Sequence, residues 1–127
     1  MACDVMCGCD TCKSSPTTES GVVGMKFDQD KVRMELLSVP AMMGTARVLT
    51  FGAKKYADRN WENGIEYSRV YGALLRHMTA WWDGEDLDPE TGLSHLHHAS
   101  CCIMFLQQFV EFDMNSLDNR PSKEIER

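Results

Sequence analysis

At 127 residues and 14.4 kDa the chain has room for one domain. A net charge of −6 and a pI near 5.1 argue against a protein that grips DNA or RNA by bulk electrostatics, while 43% hydrophobic and 25% charged residues are ordinary for a soluble globular protein. No uncharged apolar run approaches the ~20 residues that cross a bilayer, and the N-terminus lacks a signal peptide's apolar core, so no membrane partner and a cytoplasmic setting with reduced thiols are expected.

Residues 1–20 hold Cys3, Cys7, Cys9 and Cys12, followed by a Ser/Thr/Pro tract with no periodicity. A flexible cysteine-rich arm is expected. Four thiolates could instead hold Zn²⁺, although C-x3-C-x-C-x2-C is not a pair of separated C-x2-C knuckles. The folded domain is expected over residues 21–113. It opens with a charged lead-in and a short helical piece around Met34, Leu36 and Leu37, which Pro40 ends while opening the next helix.

Three main helices follow from apolar spacing at three and four. The first covers residues 41–57 with Met42, Ala46, Leu49 and Ala53 on one face; the second runs to Trp82 with Ser68 as its cap and Val70, Ala73, Leu74, His77 and Trp81 inward. The third spans residues 95–113 behind a Ser94 cap, with Leu96, Ala99, Ile103, Leu106 and Val110 as its main stripe and Cys102, Phe105 and Phe109 as a second row. Residues 114–127 become polar and read as a disordered tail. With no repeat and no strand pair, the fold class is all-α: a small bundle of three main helices plus short helical pieces. Its wide apolar stripes exceed what so short a chain buries alone, so a homo-oligomer, dimer or tetramer, is expected.

Chemistry concentrates in residues 76–98, RHMTAWWDGEDLDPETGLSHLHH, which contain all four histidines of the chain. Imidazole nitrogen and carboxylate oxygen are the ligand types of a divalent ion acting on phosphate, so His77, Glu85, Asp88, His95 and His98 are candidate metal ligands. Glu85, Asp88 and Glu90 are the candidate catalytic carboxylates, Glu90 as ligand or as base. Lys54, Lys55, Arg69 and Arg76 are candidates for a triphosphate, and Tyr56 or Trp61 for a base, with sealing of the core as the other use of Trp61. The bland alternative for the whole stretch is a solvated acidic loop beside hydrogen-bonded core histidines.

KFDQDKVRMELL, VLTFGAKKY, NWENG, YSRVYGALLRHMTAWWDGE and DPETGLSHLHHA together resemble the phage dATP/dGTP diphosphohydrolase N-terminal domain family, the MazZ-type proteins, related in outline to the all-α MazG-like nucleoside triphosphate pyrophosphohydrolases. The resemblance implies a helical, oligomeric domain in the host cytoplasm of a phage. It implies cleavage of dGTP, with dATP as second candidate, to the monophosphate and pyrophosphate with Mg²⁺ or a similar ion. MazG-like enzymes place E-x-x-E and E-x-x-D on successive helices, whereas RHMTAW and HLHH stand here, so their ligand scheme does not carry over. Histidine ligands tilt preference from Mg²⁺ toward Mn²⁺, Co²⁺, Fe²⁺ or Zn²⁺. Two alternatives are an HD-type metal phosphohydrolase, although no His is followed directly by Asp, and a non-catalytic nucleotide-binding or host-interaction protein.

Overall fold

Three helices make up half of the described chain: α1 (Val39–Lys55), α2 (Tyr67–Trp82) and α3 (His95–Glu111). The computed structural model describes residues 23–122, so Cys3, Cys7, Cys9 and Cys12 and the Zn²⁺ expectation attached to them lie outside it. Among the described residues there is no strand, only an isolated antiparallel bridge between Leu87 and Ser94. The expected all-α class is what the chain adopts.

The chain divides after Arg33 into two compact units. In the first, residues 28–31 make a turn closed by the Lys31 N–H on the Asp28 carbonyl at 3.1 Å. All three helices lie in the second.

Local chemistry sets the helix ends. Ser38 caps α1, its Oγ accepting from the Ala41 N–H at 3.2 Å, and Pro40 sits in the first turn, where a missing donor costs nothing. Ser94 caps α3 as expected, accepting from the Leu96 N–H at 3.1 Å. Ser68 does not cap α2. That helix starts two residues earlier than a Ser68 cap requires, at Tyr67 after Glu66, and the amide of Ser68 donates instead to Asn119 Oδ1 at 2.9 Å. Asn119 Nδ2 donates in turn to Glu66 Oε2 and to Ser68 Oγ at 2.9 and 2.7 Å. The segment after α3 is therefore no disordered tail as far as Arg120: a 3₁₀ turn at Asn115–Leu117 brings Met114 and Leu117 onto the core and Asn119 onto the start of α2.

α3 is the floor of the fold. It packs extensively along α2 and crosses α1, while α1 and α2 scarcely touch each other. The core lies between α2 and α3, with Tyr67, Val70, Cys102 and Phe109 buried and Trp61, Ile65, Phe105 and Leu106 packed around them. Trp61 stacks on Phe105 with ring centroids 4.5 Å apart, so one of its faces seals the core.

The inward face of α3 is the expected second row together with Ala99, whereas Leu96, Ile103 and Val110 from the expected main stripe are exposed. Both rows are apolar, and width alone carries no direction. On α1, likewise, Gly44 is buried and Val48 and Leu49 are half-buried, while Met42 and Ala46 face outward. The reason is a close crossing, for the His97 ring of α3 occupies the space a Cβ on Gly44 would need.

Candidate functional site

Because α1 and α2 diverge over α3, they leave a cleft of about 920 Å³ between them. Its walls come from the second half of α1, the 3₁₀ turn at Asn60–Asn63, one face of α2 and the middle of α3. The loop joining α2 to α3 closes one end with Asp88, Glu90 and Thr91.

That loop holds its own shape. The Asp88 N–H donates to the Leu93 carbonyl at 2.8 Å, the Gly92 N–H returns to the Asp88 carbonyl at 2.7 Å, and Asp88 Oδ1 accepts from the Glu90 N–H at 3.0 Å. Gly92 sits at φ +71°, a left-handed conformation open to glycine at little cost. The result is a carboxylate pinned beside the first turn of α3, its second oxygen 3.4 Å from His98 Nε2. Thr91 Oγ1 lies 2.7 Å from the same nitrogen and also accepts from the Leu93 N–H.

His77 enters from α2 and lies flat against His98, with centroids 4.4 Å apart and planes within 7°. One ligand atom each from His77, Asp88 and His98 falls within 4.8 Å of the others. Burial is the main cause that holds both imidazoles below the ordinary histidine value of 6.5; the charge of His98 lowers His77 further and that of His95 lowers His98, while Asp88 pulls both the other way. That direction favours the neutral imidazole, the state in which the side chain binds a metal. Two nitrogens and one carboxylate oxygen suit a borderline transition ion better than Mg²⁺.

The expected five-residue ligand set separates into two layers. His77, Asp88 and His98 converge at the cleft, but His95 is buried behind them with both nitrogens engaged, Nε2 2.6 Å from Glu85 Oε1 and Nδ1 2.9 Å from His77 Nδ1. Glu85 accordingly faces His95, not the cleft. Glu90 lines the cleft, though its Oε1 is occupied by Lys55 Nζ at 2.7 Å, a contact that raises the Lys55 pKa through its hydrogen bond and charge. Lys55, Tyr56, Trp61, Arg69 and Arg76 all line the cleft; Lys54 does not. Sequence reasoning passed over Thr91, whose only signal was its place in the PETG turn, and Asn119, which had none.

Fold and site together define a small helical domain organised around an interhelical cleft with two histidines and an aspartate at one end. Residues 22–120 match the model of the family described as dATP/dGTP diphosphohydrolase, N-terminal, and the chain belongs to that family. It is also similar to a protein of Salmonella phage PMBT28 named dATP/dGTP diphosphohydrolase, at 35% identity over 106 residues. Those residues are 84% of this chain and 34% of the phage protein, so the chain spans about a third of its relative's length. No solved structure matches. No helix among the described residues is long and apolar enough to cross a membrane.

Proposed function

We infer that this domain is a metal-dependent nucleoside triphosphate diphosphohydrolase that converts dGTP, with dATP as second substrate, to the monophosphate and pyrophosphate. The observation that carries the reading is the convergence of His77, Asp88 and His98 at one end of a cleft whose remaining walls offer Lys55, Arg69 and Arg76 and the rings of Tyr56 and Trp61. A triphosphate needs cations along its length, and a base needs a planar surface; the cleft offers both. The relative's printed name supplies the substrate class.

His77, Asp88 and His98 would hold the ion, Mn²⁺ or another transition ion ahead of Mg²⁺. When bound, it would supply Lewis-acid polarisation of a phosphate oxygen and a water of lowered pKa. Arg69 and Arg76, projecting from α2 on the His77 side, orient the phosphates and balance their charge. Tyr56 and the side of Trp61 not covered by Phe105 flank the base. In this scheme, Glu90 accepts a proton or restrains Lys55.

A second reading is a nucleotide-binding module, since the activity in the relative's name belongs to a protein of which this chain spans about a third. Incubation with the eight common nucleoside triphosphates and Mg²⁺ or Mn²⁺, with products resolved, separates the cases. Monophosphate plus pyrophosphate is expected. Tripolyphosphate would point to HD-type chemistry, and stoichiometric binding without turnover to the module.

A further inference from the structure

Glu85 and His95 stand behind the cleft in a chain of short contacts that ends on His77. Glu85 Oε1 is 2.6 Å from His95 Nε2, and His95 Nδ1 is 2.9 Å from His77 Nδ1. His95 is only 4% exposed, so both of its nitrogens must be satisfied within the protein. A neutral imidazole has one N–H and one bare nitrogen. The contact with an ionised carboxylate places the proton of His95 on Nε2, which leaves Nδ1 as an acceptor. The 2.9 Å contact then needs a proton from the other side, and only His77 Nδ1 can provide it. His77 Nε2 is thereby left with an unprotonated lone pair.

We propose that Glu85 and His95 are positioning residues: they lock His77 as its Nδ1–H tautomer and present its Nε2 lone pair to a divalent cation shared with Asp88 and His98. The proposal rests on the reading of His77, Asp88 and His98 as a metal group. It also reverses the expectation that His95 and Glu85 are themselves ligands. Carboxylates that hold a ligand histidine through its other nitrogen are a known means of fixing ring orientation and raising ligand basicity; here a second imidazole is interposed. Imidazole free in water prefers its proton on Nε2, so without the chain His77 would offer an N–H where a ligand is required. Stacking on His98 fixes the plane of the ring but not the place of its proton.

The test uses the full chain, metal-free and labelled with ¹⁵N at histidine, so that long-range ¹H–¹⁵N correlations read each tautomer, followed by titration with Co²⁺. His77 is expected as Nδ1–H and His95 as Nε2–H. Glu85→Ala should turn His77 into a tautomer mixture and weaken Co²⁺ binding roughly 10- to 100-fold at unchanged stoichiometry. Glu85→Gln, whose amide oxygen still accepts from His95, should keep both properties within a few-fold of the unaltered protein. His77 found as Nε2–H in the unaltered protein overturns the proposal, as does a Glu85→Gln protein as deficient as Glu85→Ala, which would make Glu85 a ligand. If Co²⁺ binding depends on His98 yet is untouched by Glu85→Ala, the positioning role alone falls. If the tautomers are as expected but no Co²⁺ binds, the metal reading falls and takes the role with it.

Discussion

The imidazole of His97 sits against Gly44 so closely that a Cβ built on that glycine would clash with the ring atoms. Glycine is therefore present in the middle of α1 for closeness of approach, despite its helix cost of about 1 kcal/mol relative to alanine. Gly44→Ala should lower stability by roughly 1–3 kcal/mol, the usual range for forcing atoms into a packed contact. His97→Ala should also destabilise, because its ring fills the crossing against Gly44. The double variant should cost less than the sum of the two, because removing the ring makes room for the methyl. Thermal denaturation of the three proteins checks this, and strict additivity would count against the crossing.

Asn119 supplies the start of α2 with the bonds that no nearby residue provides, accepting from the Ser68 amide and donating to Glu66 and Ser68. Asn119→Ala should cost about 1 kcal/mol, like loss of an N-terminal cap, and should speed hydrogen exchange at the Ser68 amide. Unchanged exchange there would show that the bond carries no weight.

These two contacts mark where the sequence stops being informative. Helix positions and the Ser94 cap were legible because spacing at three and four and a Ser before the first turn are local signals. Asn119 meets Ser68 across 51 residues and leaves no local trace. Inward faces were harder to read: on α3, Leu96, Ile103 and Val110 are as apolar as Cys102, Phe105 and Phe109, and only packing against α2 separates them. At the site, the three-residue interval put His95 and His98 on one side of α3, but Glu85 and His77 take up both nitrogens of His95, which the interval cannot report.

Cys101 and Cys102 are buried in α3, and burial pushes the Cys101 thiol up to about 12 from an ordinary value of 9.0. The sign follows from the neutral thiol being favoured in the folded chain. The unfolded chain loses its proton near pH 9 and the folded one near 12, so stability should fall as pH rises between those values and be unaffected by this group below about 8. In native protein at pH 8, Cys101 should resist iodoacetamide far longer than in urea, since the thiolate is the nucleophile. Peptide mapping after timed alkylation reads this directly. Rapid native labelling of Cys101 would contradict the burial of α3.

Glu90 has three candidate roles, and its contact with Lys55 separates them. The pair bridges the end of α1 and the loop before α3 at 2.7 Å, with both side chains about half exposed. An exposed pair of this kind contributes little to folding, so Glu90→Gln should leave the melting temperature essentially unchanged. Its effect belongs to the cleft, where a triphosphate and the Glu90 carboxylate compete for the same ammonium. Removing the carboxylate's charge frees Lys55 and lifts a repulsion, so in the proposed enzyme KM should fall a few-fold with kcat nearly preserved. A general base predicts otherwise: kcat would drop by about 10²- to 10⁴-fold where proton removal limits turnover. A metal ligand predicts weaker Co²⁺ binding, which neither other role requires. Steady-state kinetics and Co²⁺ titration of one variant therefore assign Glu90, and the first outcome is expected because Lys55 already engages one oxygen of its carboxylate and the metal group of His77, Asp88 and His98 does not include it.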